Sequence, residues 1–189
     1  APTKGALAFV TALTFEALSG RAPLIDALEV EDGRIPHIEH AYETDLAVVV
    51  PASANLLARM ANGIADEALL LTLLSVRAPL VIAPAMETRM WTHPATQKNE
   101  QVLRERGAIF VGPVEGPLAS GREGKGRLAP VSDIVDACHA ANLAAPHAGA
   151  VHHHVGFDMA LRLAVIADPV NAGDTAAFLG DAGDLDALL

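Results

Sequence analysis

Cysteine, positive charge and long apolar runs are all scarce in this chain of 189 residues. The one cysteine, Cys138, cannot form a disulfide within the chain. Lys and Arg total 13 against 23 Asp and Glu, and a net charge of −10 disfavours nucleic acid and anionic membranes, since both repel a negative surface. Arg, Pro or Asp interrupts the longest apolar stretches, so none is expected to span a bilayer. With no positively charged start and apolar signal core visible, we expect a cytoplasmic protein.

The apolar residues that are present, 51% of the chain, suffice for one sizeable core. Three short runs, 46–51, 79–84 and 107–112, are too short for core helices and contain β-branched residues. We interpret all three as strands buried on both faces.

Helical periods separate these strands. Leucines recur at three- and four-residue spacings over 54–76, with an interruption at Gly63, and 94–106 begins with Pro and ends at Gly107. Further helices are expected over 9–18 and 131–145. The resulting βαβαβ order predicts a parallel sheet with helices on both faces.

Polar, small-residue turns follow the first two predicted strands, at 51–55 and 84–91. The carboxyl ends of parallel strands meet at one edge of a sheet, and open α/β sheets bind ligands at that edge. A third segment, 116–130, combines four glycines with Arg122, Lys125 and Arg127. It fits either a mobile flap that binds an anionic ligand or an ordinary solvated loop.

Composition changes near residue 140. Residues 140–189 contain six Asp, one Arg and no Lys or Glu. We therefore divide the chain into a domain at 1–139 and a tail of uncertain structure at 140–189. His152, His153 and His154 are a poor preformed metal set, because consecutive side chains point in different directions, and no metal site is predicted. Leu163 to Gly180 could form a strand, a turn and a helix.

Taken in order, the motifs carry a family resemblance that extends from about residue 3 to residue 139. They are His37-Ile38-Glu39, Asp45-Leu46, Pro51-Ala52-Ser53-Ala54-Asn55, Asn62-Gly63-Ile64-Ala65-Asp66, Pro84-Ala85-Met86 with Met90-Trp91, and 121–128. This series resembles the flavin-dependent cysteine decarboxylases, most closely the phosphopantothenoylcysteine decarboxylase domains of coenzyme A biosynthesis. The resemblance implies a three-layer α/β/α, doubly wound, Rossmann-like flavoprotein that lacks the family's usual first strand, loop and helix.

The resemblance also implies a cofactor, FMN, and residues that bind it. Thr3, Lys4 and Gly5 match the turn that binds the FMN phosphate, and Phe9 matches an aromatic residue near the flavin. The other positions expected to contact the cofactor are Ser53, Ala54, Asn55 and Met86. Helix capping is the alternative role for Ser53 and Asn55, and the two roles are compatible.

Catalytic roles are implied for His37 and Ser120, and substrate contacts for Glu87, Ala119 and Leu128. In such enzymes the flavin takes a hydride equivalent from the cysteine side chain, carbon dioxide leaves, and the product is reduced again. Histidine can accept the thiol proton, although a capping or surface role for His37 is the simpler alternative. Ser120 stands where many members have a cysteine.

A further departure from the family, after the missing first unit, is Glu87, where the family usually has an asparagine that holds the substrate carboxylate. A carboxylate facing a carboxylate would raise one pKa or repel the substrate unless Arg89 or another cation compensates. The expected function is FMN-dependent decarboxylation of 4′-phosphopantothenoylcysteine to 4′-phosphopantetheine, by a homotrimer or homododecamer. The alternatives are oxidative decarboxylation of a peptide C-terminal cysteine, as in lantibiotic maturation, or a non-catalytic flavin- or partner-binding protein.

Overall fold

The computed structural model describes residues 1–27, 33–144 and 163–166, the last four by their backbone alone. A short 3-10 helix, Ala6–Ala8, precedes seven described α-helices: α1 Ala12–Ser19, α2 Pro36–Glu43, α3 Ala54–Ala61, α4 Ala68–Ser75, α5 Thr88–Trp91, α6 Pro94–Glu105 and α7 Val131–Ala144. The described strands are β1 Leu46–Ala52, β2 Leu80–Pro84, β3 Ile109–Phe110, β4 Val114–Pro117, β5 Glu123–Arg127 and β6 Leu163–Ile166. None of the helices within these ranges has the length and apolarity needed to cross a membrane.

The main sheet is parallel and has the strand order β3-β2-β1-β6. Every residue of β1 is buried, as are the last four of β2. Side chains alternate between the two faces of a strand, so continuous burial means that both faces of these two strands are covered. The prediction of a doubly covered parallel sheet is therefore confirmed for β1 and β2.

Two separate apolar clusters account for that burial. Val49 and Ile82 pack with buried residues of α3, α4 and α6 on one face. Val48 and Val81 pack against α7 on the other, where Ile134, Cys138 and Ala141 supply the inner stripe. Helices thus lie on both faces of the sheet, which makes the three-layer α/β/α arrangement predicted from the sequence.

Three elements differ in extent from the prediction. The helical pattern over 54–76 forms two helices, α3 and α4, separated by the whole segment 62–67 rather than by Gly63 alone. The first helix begins at Ala12 instead of residue 9. The prediction that the third strand is buried on both faces is wrong, because β3 is a two-residue edge strand whose Ile109 is 39% exposed.

The segment 116–130, predicted as a flap or a solvated loop, contains regular strand structure in part. Residues 116–117 and 123–127 of this segment belong to β4 and β5, which pair antiparallel as a hairpin, with Glu115 opposite Lys125 and Gly116 opposite Gly124. We call residues 114–127 the hairpin. Its turn is closed by Leu118 N–H donating to the Arg122 carbonyl at 2.7 Å.

Residues 163–166 pair with β1 as a parallel strand, Leu46 opposite Leu163 and Val49 opposite Ile166. This agrees with the strand considered from the sequence. The turn and helix considered for the residues after it, and the three consecutive histidines, lie outside the described residues. The predicted domain boundary after residue 139 lies within α7, and the division into domains stays a prediction.

Candidate active site

The two polar turns lie side by side at the carboxyl edge of the sheet. Ala52, at the end of β1, is in register with Pro84, at the end of β2. Immediately beyond, the Ala85 N–H donates to the Ala52 carbonyl at 3.1 Å. Ser53 and Met86 therefore follow paired backbone positions, and the predicted meeting of these turns at one edge is confirmed.

Ser53 begins α3 as its N-cap. Its Oγ accepts a hydrogen bond from the Leu56 N–H at 3.1 Å, and its carbonyl accepts one from Leu57 N–H at 3.0 Å. Ala54 and Asn55 are the first two helical residues, whose amides have no acceptor within a helix. Such amides, together with the positive end of the helix dipole, favour anionic or electron-rich ligand atoms.

The segment around Thr3, Lys4 and Gly5 is tied to the connection between α3 and α4. Thr3 is buried and its Oγ1 accepts from the Ala6 N–H at 3.0 Å. The Lys4 N–H points at the Glu67 carboxylate at 3.5 Å. Gly5 precedes the 3-10 helix.

Phe9 lies just after that 3-10 helix and is 57% exposed. Its side chain is therefore not part of the core in this structure. No contact of the described residues tests its predicted position next to a flavin.

The carboxylates at 66 and 67 converge on one cation of α3. The Arg59 guanidinium donates to both Asp66 and Glu67. Its hydrogen bond lowers the pKa of the Asp66 carboxyl. This arrangement orders the segment that separates α3 from α4, and the sequence analysis did not identify Arg59 as its partner.

Two buried polar atoms have no hydrogen-bond partner among the described residues. One is Nδ1 of His37, the second residue of α2, whose side chain is partly buried. The other is Oγ1 of Thr88, the first residue of α5. Buried polar atoms are normally paired, so both positions point to a partner that the described residues do not supply.

The hairpin lies directly on the turn after β2. The Met86 N–H donates to the Gly126 carbonyl at 2.9 Å. A side chain at Gly126 would start 2.1 Å from the Met86 carbonyl oxygen, and one at Gly124 would start 2.3 Å from Thr88 Oγ1. A Cβ atom would therefore obstruct the contact of Gly126 with the Met86 backbone and that of Gly124 with the Thr88 side chain.

This contact places two side chains of the hairpin turn beside Glu87. Ser120 Oγ lies 3.5 Å from Glu87 Oε2, and Arg122 Nη1 lies 3.8 Å from Glu87 Oε1. The Glu87 side chain is 27% exposed and that of Arg122 is 67% exposed. The sequence analysis named Arg89 or another cation as a group that could compensate Glu87, and in the structure Arg122 forms an ion pair with Glu87.

The remaining predicted residues occupy contrasting environments. Ala119 is exposed in the hairpin turn, whereas Leu128 is buried in the core beside α7. Met86 and Trp91 are buried, and Met90 is half-exposed. The structure thus brings Ser53, Met86, Glu87 and Ser120 to one edge of the sheet, and no hydrogen bond within the described ranges joins His37 to them.

A cavity of about 1480 Å³ opens at the opposite end of the sheet. Its wall includes Asp45, Pro79 and Ala108, which precede β1, β2 and β3, and none of the predicted site residues lines it. The carboxyl-edge site is therefore distinct from this cavity. Nowhere in the described ranges do three or more His, Cys, Asp or Glu side chains cluster closely enough to hold a metal ion.

Comparison with known proteins connects this site to a family and to solved relatives. The family model described as Flavoprotein matches residues 1–143. The coenzyme A biosynthesis bifunctional protein CoaBC of Mycobacterium tuberculosis is 47% identical over 133 residues, which cover 70% of this chain and 32% of that protein. The chain thus spans about a third of the length of the curated relatives it matches.

Two solved structures show the same fold. The FMN-dependent cysteine decarboxylase SpaF superposes with a TM-score of 0.64 at 34% identity, covering 75% of this chain and 77% of the other. A phosphopantothenoylcysteine (PPC) decarboxylase mutant complexed with pantothenoylaminoethenethiol superposes at 0.57 with 33% identity, covering 60% and 64%. The match to the family model and the superposed folds agree with the resemblance found in the sequence. The chain belongs to the flavoprotein family, whose cofactor is a flavin.

Proposed function

We propose that this protein binds FMN and decarboxylates 4′-phosphopantothenoylcysteine to 4′-phosphopantetheine. The observation that carries the proposal is the 47% identity to CoaBC over 133 residues. The superposition on the PPC decarboxylase complexed with pantothenoylaminoethenethiol supports the same substrate class. This ligand carries the pantothenoyl group and an aminoethenethiol group, which has the nitrogen and sulfur of cysteine and no carboxylate.

The carboxyl edge has groups that fit a flavin mononucleotide. The first amides of α3, behind the Ser53 cap, offer donors to an electron-rich ring or an anionic group. Ser53, Ala54 and Asn55, with Met86 beside them, would hold the ring, and Thr3, Lys4 and Gly5 would hold the phosphate. The unpaired His37 Nδ1 is a further polar atom whose partner is absent from the described residues. Bound FMN would supply the reversible acceptance of a hydride from the substrate.

The chain's own residues would then handle the proton and the carboxylate. His37 would accept the proton of the substrate thiol as sulfur is oxidised, a role that suits an imidazole at neutral pH. Ser120 and the first residues after β2 would enclose the cysteine portion of the substrate, with Ala119 and Leu128 also near it. Because a hydroxyl is a much weaker acid than a thiol, we expect Ser120 to position substrate instead of donating the final proton.

A second candidate activity is oxidative decarboxylation of a peptide C-terminal cysteine. The superposition on the cysteine decarboxylase SpaF, with a TM-score of 0.64, favours it. The two substrates share the cysteine carboxylate and differ in the phosphate. Carbon dioxide release from phosphopantothenoylcysteine, compared with release from a peptide that ends in cysteine, distinguishes these activities.

A non-catalytic flavin-binding role is tested by the same preparation. If the purified protein carries FMN but releases no carbon dioxide from either substrate, both decarboxylase proposals fail. A colourless protein that cannot be reconstituted with FMN contradicts the flavin site as well. A homotrimer or homododecamer and a cytoplasmic location stay predictions.

The role of His37 is tested by exchanging it for an amide. We expect His37→Asn to reduce decarboxylation by at least about a hundredfold, the usual contribution of a positioned acid or base. His40→Asn is the matched control, because His40 lies on the same helix, is exposed and has no predicted role. Steady-state carbon dioxide release with both variants fully loaded with FMN measures the difference. Equal activity of the two variants would remove His37 from catalysis.

A further inference from the structure

We propose that Arg122 binds the carboxylate of the substrate and that Glu87 positions Arg122 for this purpose. The inference rests on the proposed function and adds a specificity residue to it. It begins from a conflict at the turn after β2. Glu87 occupies a position beside the proposed site, and a carboxylate there repels the carboxylate that the reaction removes.

In the structure, the hairpin places a cation and a hydroxyl beside Glu87. The two oxygens of Glu87 have different partners: Oε1 faces Arg122 Nη1 at 3.8 Å, and Oε2 faces Ser120 Oγ at 3.5 Å. Both partners come from the single turn that joins β4 to β5. Arg89, the cation nearest in sequence, is exposed and forms no ion pair with Glu87 in the described structure.

The position of Arg122 is set by backbone contacts. The bond from Met86 N–H to the Gly126 carbonyl, at 2.9 Å, fixes β5 on the same turn that carries Glu87. The Arg122 carbonyl accepts from Leu118 N–H at 2.7 Å, which closes the hairpin turn. The backbone of Arg122 is therefore held at the rim of the site.

Arg122 retains capacity for a second carboxylate. A guanidinium has five N–H donors arranged as a fork that suits bidentate pairing. Glu87 faces one Nη atom at ion-pair distance, and 67% of the Arg122 side chain is open to solvent. A substrate carboxylate can thus bind the open side of the guanidinium while Glu87 stays opposite, so that one cation separates two anions. The negative charge of Glu87 then orients the cation and no longer opposes the substrate.

Two ligands that do not turn over separate carboxylate binding from phosphate binding. One is 4′-phosphopantothenoylserine, which keeps the carboxylate and has a hydroxyl in place of the thiol. The other is 4′-phosphopantetheine, which has the same phosphate and no carboxylate. Titration calorimetry on the FMN-loaded protein gives the Kd of each ligand for wild type and variants.

We expect Arg122→Ala to weaken the carboxylate ligand about tenfold or more, the loss typical of a charged hydrogen bond, and to leave the other ligand within about twofold. Lys125→Ala is the matched control, since Lys125 is an exposed cation of the same hairpin and has no ion pair with Glu87 among the described residues. It should not discriminate between the two ligands. Equal losses for both ligands with Arg122→Ala would assign the cation to the phosphate and overturn the inference, as would no loss at all.

A charge exchange tests the pairing of the two side chains. We expect Arg122→Glu to lose the carboxylate ligand more completely than Arg122→Ala, because two anions then flank the site. Adding Glu87→Arg restores a cation next to an anion, and the double variant should recover at least about tenfold of that loss. No recovery contradicts the pairing. If wild type binds neither ligand, the proposed function fails and the inference fails with it; if wild type binds both and Arg122→Ala does not discriminate, only the inference fails.

Discussion

At the scale of single residues, burial separates the reactive groups of this molecule from the inert ones. Cys138 is 2% exposed on the inner stripe of α7, packed among apolar side chains. Burial raises the pKa of its thiol from 9.0 to about 11. Thiolates are the reactive form, so this cysteine is structural. Glu87 and Arg122, by contrast, are partly exposed to solvent.

We therefore predict that Cys138 resists thiol reagents in the folded protein at pH 7. Labelling with an aromatic disulfide reagent should be at least about a hundredfold slower than in guanidinium, because the thiol is both protonated and enclosed. The absorbance of the released thiolate measures the rate, and Cys138→Ala is the blank. Fast labelling without denaturant would show that α7 opens readily or that the thiol is exposed.

The raised pKa of Cys138 also determines the direction in which the stability of the fold changes with pH. The folded pKa lies above the unfolded value, so this contribution to stability is fully present below about pH 9 and is lost as pH rises towards 11. Denaturation midpoints measured across this range should fall more steeply for wild type than for Cys138→Ala. The variant keeps every other titrating group, so parallel slopes would contradict a buried neutral thiol.

At the scale of elements, the hairpin can lie against the turn after β2 because Gly124 and Gly126 have no side chains. Gly126→Ala would place a methyl group 2.1 Å from the Met86 carbonyl oxygen, which is backbone and cannot rotate away. We predict that the hairpin detaches from the turn, and that trypsin cleaves after Arg122 and Lys125 at least about fivefold faster while the rest of the chain stays folded. Mass spectrometry of timed digests identifies the cleavage sites.

Gly121→Ala is the control for this experiment. Gly121 lies in the hairpin turn with φ +76° and has open space around it, so alanine there adds backbone strain without a collision. Cleavage should therefore increase less than with Gly126→Ala. Similar rates for the two variants would mean that general loosening of the hairpin, and not contact with Met86, controls access.

These elements also explain which parts of the fold the sequence could predict. β1 and β2 are short apolar runs between polar turns, and local pattern is enough to identify them. β5, Glu123–Arg127, has two glycines and three charges in five residues. Nothing in that composition indicates a strand, because its pairing depends on contact with β4 and on the turn after β2.

The site also has one part that the sequence could predict and another that it could not. The turns after β1 and β2 are local features, and their meeting at one edge follows from parallel strands. The approach of Arg122 to Glu87 joins positions 35 apart in sequence. No periodicity indicates such a contact, and the glycines and cations of 116–130 indicated only a flap or a loop. The partners of Thr88 and His37 lie outside what the described residues supply, so neither pattern nor fold identifies them.

At the scale of the whole molecule, the sheet holds the site because its central strands are enclosed on both faces and on both sides. β1 pairs with β2 on one side and with β6 on the other. Its residues are fully buried, so a missing neighbour would expose unpaired N–H and C=O groups along its length. The position of Ser53, directly after β1, depends on this enclosure. Pairing with residues 163–166, which lie far from β1 in the sequence, thus contributes to the stability of β1 and of the site that follows it.

Paired proline substitutions test that contribution. Ala164 and Val165 are neighbours in β6, opposite Ala47 and Val48. Successive N–H groups of a strand point in opposite directions, so one of the two donates towards β1 and the other points away. Proline removes the N–H, and we predict that one substitution lowers the free energy of unfolding by about 1–3 kcal/mol more than the other, the cost of leaving a buried acceptor unpaired. Each variant is the control for the other, since both add the same ring to the same strand. Chemical denaturation followed by far-ultraviolet circular dichroism gives the comparison. Two variants as stable as wild type would contradict the strand. If residues 163–166 pair with β1, one of the two N–H groups must donate to β1, and its removal must lower the free energy of unfolding.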